Sequence, residues 1–227
     1  MANLLDIVKK ELINIDYIGT NDEELDAETE YFVDAVRAEG AKEGLEIDYC
    51  FGATQLCFID EDNQDYVVKM GFTEKSGTSY YDDDGAYYEE GYDTYSEEYR
   101  HNYTELSYNI YKDAIDAGVA MFFAKVDPVG DGLWIQEYVA ARENNVSPRN
   151  GKVSDEEINY VVDLKDKFHW VFDAQWIADC LFYYGLENFQ KFMNFVKRKG
   201  INDLHQGNYG WTKDGYPRLL DYAGYYE

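Results

Sequence analysis

The chain has 227 residues, 17% of them aromatic and only 3 of them Pro, a composition that can build a sizeable core and argues against a disordered acidic tail. Its 20 basic and 46 acidic side chains leave a formal net charge of -26, a field that repels nucleic acid and anionic lipid, so direct binding to either is excluded. Cys50, Cys57 and Cys180 lack the paired spacing of a zinc site or a disulfide framework and read as buried thiols. No stretch approaches the roughly 18 uncharged apolar residues of a spanning helix, which points to a cytosolic protein.

Leu4, Leu5, Ile7, Val8, Leu12 and Ile13 recur at helical spacing, and a second helical pattern runs from about Asn21 to Ala38, before Gly40. Both read as packing helices. From Leu45 the period becomes two. Ile47 to Phe51, Leu56 to Ile59 and Tyr66 to Met70 read as three antiparallel strands, the first two joined by a Gly52-Ala53-Thr54 hairpin. Gly71 to His101 is dense in Tyr, Asp, Glu and Gly and reads as an exposed loop. Its acids Asp82, Asp83, Asp84, Glu89 and Glu90 are either solvated or a surface for a basic partner.

A helix is expected from about Glu105 to Ala117, stopped by Gly118. Val119 to Val126 and Leu133 to Val139 read as two more strands around the Pro128, Gly130 and Gly132 turn. The polar run from Ala141 to Lys152 is the best hinge, and helices are expected over 154–165, 173–183 and 186–199, the first capped by Ser154 with Glu157 reaching back. A strand-rich half followed by a helix-rich half makes a two-lobed α+β plan. Its parts are a helical extension over 1–44, a strand-rich lobe over 45–140 and a reduced helical lobe over 141–227.

The sharpest chemical signal is Asp203-Leu204-His205-Gln206-Gly207-Asn208-Tyr209-Gly210, followed after a short turn by Arg218-Leu219-Leu220-Asp221-Tyr222-Ala223-Gly224. Magnesium takes hard oxygen ligands, usually a carboxylate or two or an amide oxygen, completed by water and phosphate oxygens. Asn208 and Asp221 supply two such groups, and Asp203 lies where a loop can aim it at a substrate hydroxyl. His205, a lone histidine, reads as a loop residue bonded to backbone.

These two stretches resemble the protein-kinase superfamily, and more closely its aminoglycoside-phosphotransferase-like branch, in which Asp-Leu-His-x-Gly-Asn is the catalytic loop. Asp221-Tyr222-Ala223-Gly224 looks like the magnesium-binding Asp-Phe-Gly element with one residue inserted. The resemblance covers about residues 45 to 227 and extends to the order of hairpin, Lys strand, helix, hinge, catalytic loop and metal strand. It is similar to compact kinase-like proteins of tailed phages that end soon after such an element, which would put this chain in a host cytoplasm.

The resemblance implies a protein-kinase-like fold with a truncated helical lobe, and ATP with magnesium bound between the lobes. It implies Asp203 as catalytic base, Asn208 and Asp221 as metal ligands, and Lys69, in Val67-Val68-Lys69, on the nucleotide phosphates. Gly52, Ala53 and Thr54 would cover those phosphates, Glu105 would orient Lys69, and the strand through Glu137 and Tyr138 would offer backbone groups to adenine. The chain departs from the family in having Ile201 and Asn202 before the catalytic Asp, one hairpin glycine where protein kinases have three, and only three residues after Gly224. Two functions follow as expectations: a phosphotransferase, or a vestigial kinase-like binding protein whose acidic surface imitates nucleic acid towards a basic host or defence protein.

Overall fold

Asn3 and Asp26 each begin a helix by the same device, a side-chain oxygen accepting a first-turn backbone N–H that has no partner within the helix. Asn3 accepts from Asp6 at 3.0 Å ahead of α1 (Leu4–Leu12), and Asp26 accepts from Thr29 at 2.8 Å ahead of α2 (Ala27–Glu43). The second helix therefore starts later than its apolar pattern indicates. It also runs through Gly40, stopping at Gly44, whose φ of 82° is the left-handed conformation that ends helices.

The structure is a computed structural model that describes residues 2–15, 18–20, 24–52, 55–72, 74–75, 79–81, 87–89, 97–140, 159, 163, 174–201, 204 and 206–222. It is a mixed α+β protein with an antiparallel sheet. The chain divides into two compact units, the first of Met1–Glu105 with Asp127–Gln136 and the second of Leu106–Val126 with Glu137–Glu227. The expected boundary at residue 44 thus falls inside the first unit, because the two N-terminal helices share their core with the strands. The expected hinge, 141–152, and the helix over 154–165 lie outside the described residues apart from positions 159 and 163.

In the first unit β2 (Ile47–Phe51), β3 (Gln55–Asp60) and β4 (Tyr66–Gly71) pair antiparallel, as the alternation indicates. β9 (Leu133–Glu137) and β8 (Val126–Gly130) extend the sheet in the order β2-β3-β4-β9-β8. One face carries Ile47, Leu56, Phe58, Val68, Met70 and Leu133, buried against Leu4, Ile7 and Val8 of α1 and Phe32, Val33 and Val36 of α2. Each such side chain stabilises by about 1.5–3 kcal/mol on full burial. The Lys9 ammonium fastens α1 to the far edge by donating to the Val129 carbonyl at 2.8 Å. The other face carries Asp48, Cys50, Cys57, Ile59, Val67 and Lys69, all exposed or half-buried, and the buried Gln55.

Residues 71–101, expected as a loop, include the two-residue strand β5 (Glu74–Lys75), which pairs parallel with β1 (Gly19–Thr20). They also include the hairpin of β6 (Ser79–Tyr81) and β7 (Tyr87–Glu89), while α3 (Glu97–Asp116) starts well before Glu105. Only the backbone of these strands is described.

In the second unit Val119 to Lys125, expected as strand, is not one. Ala120–Phe122 form one turn of 3-10 helix, and Phe122 and Phe123 go into an aromatic core with α4 (Ala174–Lys199). Phe122 stacks on Phe192 at 4.4 Å, Phe123 meets Phe192 and Phe195 edge-on, and Trp176 lies 6.1 Å from Phe192. A short apolar run has no readable period, and these contacts decide its conformation. α4 is interrupted at Gly185, with φ 77° and ψ 160°, where the sequence calls for two helices.

Gly40 marks where α2 meets the sheet, since a Cβ there would lie 2.3 Å from Ile47 Cδ1. Gly40→Val should lower the urea unfolding midpoint by the equivalent of about 1–3 kcal/mol through overpacking. An unchanged midpoint would mean that α2 does not lie on β2 in solution.

Candidate functional site

The hairpin of β10 (Tyr209–Trp211) and β11 (Pro217–Leu219) is the scaffold of the site, with Tyr209 opposite Leu219 and Trp211 opposite Pro217. Its turn is closed by Thr212, whose N–H donates to the Tyr216 carbonyl at 2.9 Å and whose carbonyl accepts from Gly215 at 2.8 Å. Gly215 has the positive φ, 85°, that the turn demands. One register step below the strands, the Leu220 N–H donates to the Asn208 carbonyl at 3.0 Å. That bond brings Asn208, at the end of a 3-10 turn over Gln206–Asn208, beside the segment that carries Asp221. Asn208 is 7% exposed and Asp221 half-buried.

Hydrogen bonds from Ala140, Ala124 and Trp176 help to fix the hairpin. Trp211 and Ala140 exchange both backbone hydrogen bonds at 3.0 Å, an approach so close that a Cβ on Gly210 would lie 2.4 Å from the Ala140 carbonyl oxygen. Ala124 N–H donates to the Leu219 carbonyl at 2.7 Å, and the buried Tyr222 hydroxyl donates to the Ala124 carbonyl at 3.1 Å, with burial pushing that phenol well above its ordinary pKa. The Trp176 indole donates to the Gly210 carbonyl at 3.2 Å.

Two polar clusters escape a reading of the sequence. Asp179, on α4 and fully buried, accepts from the Trp211 indole at 2.9 Å and from the Gln175 amide at 2.9 Å, tying the helix to β10. Arg218 donates to Glu137 at 3.2 Å, to the Met121 carbonyl at 2.6 Å and to the Tyr184 hydroxyl, and its guanidinium lies over the rings of Tyr184 and Tyr216. Burial, opposed by Arg218, drives the Tyr184 phenol far above its usual pKa. A cation in a short strand flanked by buried Pro217 and Leu219 was the available signal for Arg218.

Of the residues singled out from the sequence, Asn208 is bonded through its backbone to Leu220, the residue before Asp221. Asp203, Ala53 and Thr54 lie outside the described residues, as do Asp82, Asp83, Asp84 and Glu90. Glu105 is on α3 and Glu89 on β7, with neither side chain described. Gly52 closes the β2–β3 hairpin by donating to the Gln55 carbonyl at 3.0 Å, in open surroundings. Lys69 is half-buried on the open face of β4. Glu137 pairs with Arg218 and its N–H donates to the Lys125 carbonyl at 2.8 Å, while Tyr138 follows it half-buried. Cys50 corrects the expectation of buried thiols: the pleat puts it on the open face, where it is exposed, with Cys57 intermediate and Cys180 buried.

Among the described residues no group of three or more His, Cys, Asp and Glu is gathered to hold a metal, and no helix is long and apolar enough to cross a membrane. Asn208 and Asp221 each carry a hard oxygen, one amide and one carboxylate. That suits magnesium, which keeps water and phosphate oxygens in its remaining positions.

The chain matches no protein-family model, no curated protein and no solved structure.

Asp179→Ala should cost about 2–4 kcal/mol by removing two buried hydrogen bonds, with a change in Trp211 fluorescence, and Asp179→Asn should cost less because one acceptor oxygen is retained. Equal losses in urea unfolding would show that the acceptor oxygens do not hold β10.

Proposed function

We propose that the chain is a kinase-like protein that binds ATP with magnesium and transfers the γ-phosphate to an acceptor hydroxyl, a relative of the aminoglycoside-phosphotransferase-like kinases with the two-lobed plan of that superfamily. The observation that carries this reading is the Leu220 to Asn208 hydrogen bond. It draws Asn208 to the residue that precedes Asp221, although the whole hairpin separates the two in sequence. Catalysis of this kind rests on positioning and charge stabilisation more than on covalent chemistry, and the rigid mount of the pair suits that task.

In this assignment Asn208 and Asp221 would hold the ion, which when bound would supply charge neutralisation for the phosphates. The Lys69 ammonium orients the phosphates, with the hairpin at Gly52, Ala53 and Thr54 over them and Glu105 positioning the ammonium. The backbone of Glu137 and Tyr138 offers an edge to adenine, through the Glu137 carbonyl rather than its N–H, since Lys125 already takes that N–H. Asp203 accepts the proton of the acceptor hydroxyl. Lys69 is half-buried and not enclosed, which supports the assignment because a phosphate contact requires an accessible ammonium.

Asp203→Ala should reduce phosphate transfer from radiolabelled ATP by about a hundredfold or more, the usual contribution of a general base, while nucleotide affinity changes by no more than a few-fold. Undiminished transfer would remove Asp203 from the mechanism.

The net charge of -26 favours a second reading, in which catalysis is vestigial and the acidic surface occupies a basic site on a nucleic-acid-binding or defence protein of the host. Such binding should weaken with salt and on joint neutralisation of Asp82, Asp83, Asp84, Glu89 and Glu90, yet survive Asp203→Ala and Asp221→Ala; salt-independent association would contradict it.

A further inference from the structure

The open face of the sheet sets Cys50, Cys57 and Lys69 in one row across three strands, Cys50 opposite Cys57 and Cys57 opposite Lys69. The register sets the two thiols side by side on that face. The row is reactive in kind as well as in placement. Cys50 is exposed, Cys57 is half-buried beside it, and a cation stands next in line.

The ladder fixes how the thiols meet. Gly52 donates to Gln55 at one end of the hairpin and Glu61 to Glu46 at the other, so hydrogen-bonded and non-hydrogen-bonded pairs alternate between them and Cys50–Cys57 is a hydrogen-bonded pair. Opposed residues of that kind have Cα atoms about 5.5 Å apart, within the span of roughly 4.4–6.8 Å that a disulfide bridges. Their Cβ atoms, at about 4.5–5.5 Å, must draw in by up to about 1 Å to reach bonding distance. A bond formed by that adjustment is readily reduced, which marks a reversible link and not a structural staple.

We propose that Cys50 and Cys57 form a reversible dithiol–disulfide site that reacts with small disulfides of the oxidised-glutathione class, with Cys50 as the attacking thiol, Cys57 as the resolving thiol and Lys69 as a positioning charge. The Cys50 thiolate attacks one sulfur of the small disulfide, forming a mixed disulfide and expelling one thiolate, which takes up a proton. The Cys57 thiolate then attacks Cys50 Sγ and expels the second. Per turnover two cysteine thiols are oxidised to one disulfide and one small disulfide is reduced to two thiols, so the exchange balances without a further oxidant.

The groups of the neighbouring strands that act on this face are Asp48 of β2, Cys57 of β3 and Lys69 of β4. The Cys57 hydrogen bond and the Lys69 charge outweigh burial and Asp48, and together they draw the Cys50 thiol down to about 7. An ordinary thiol near 8.5 is mostly protonated at neutral pH, whereas this one is close to half ionised. The proposal does not depend on nucleotide binding and goes beyond that reading.

The test treats the full-length protein with oxidised glutathione at pH 7 and maps it with trypsin, which leaves both cysteines on one peptide, 43–69. Wild type should lose two hydrogens from that peptide, and dithiothreitol should restore them. Cys57→Ser should instead retain a glutathionyl adduct on Cys50, because nothing resolves it. Iodoacetamide should alkylate Cys50 at pH 7 faster than Cys180, with a rate that rises through about pH 7 in wild type. In Lys69→Met the midpoint should move up and the pH 7 rate fall roughly three- to tenfold, a loss that Lys69→Arg reverses. A stable adduct on wild-type Cys50, no modification at all, or a pH profile indifferent to Lys69 would overturn the proposal.

Discussion

Gly210 can carry no side chain, because the Ala140 carbonyl oxygen sits 2.4 Å from where its Cβ would stand. The segment that follows β9 is thereby pressed directly onto β10, and Trp211 and Ala140 exchange backbone hydrogen bonds across the contact. With β10 set, the register of the hairpin sets β11, and the base of the hairpin places Asn208 against Leu220 and the approach to Asp221. Several further contacts of the second unit hold the same hairpin. Asp179 and Trp176 reach β10 from α4, Ala124 and Tyr222 hold the end of β11, and Arg218 joins β11 to Glu137 and Tyr184. Under the proposed function, two oxygen groups mounted on so fixed a hairpin would lose little conformational freedom on taking an ion.

The first unit follows a different logic, in which one sheet has two unlike faces. The period of two sends Leu56, Phe58, Val68 and Met70 into a core closed by α1 and α2, and it sends Cys50, Cys57 and Lys69 the other way. The N-terminal helices are therefore not an appendage. Without them the apolar face of the sheet would be in water, and the face carrying Lys69 and the thiol pair would have no stable backing.

The central strands were legible from the alternation of their apolar residues, which burial follows most closely at Leu56–Asp60, and the break of α4 was legible because Gly185 interrupts an otherwise continuous helical pattern. Phe122 and Phe123 were misread as strand, since a run of apolar residues fits either state until its aromatic partners are known. The start of α2 was misread because the capping oxygen of Asp26 outweighs the weaker helical pattern upstream. Asn208 and Asp221 stood out through residue type and spacing alone. Their supports did not, because Asp179, Tyr184 and Arg218 acquire meaning only when α4 and the hairpin come together. Cys50 was misjudged for a related reason: a thiol is usually buried, and only the strand register shows which face it takes.

The measurement that bears most directly on the central claim is calorimetric titration of the protein with ATP, with and without magnesium, repeated on Asp221→Ala and Asn208→Ala. The account predicts binding that requires the ion and is lost or weakened at least tenfold in both variants, with their far-ultraviolet spectra unchanged. Nucleotide binding that is indifferent to magnesium and to both substitutions, or no binding at millimolar ATP, would contradict it.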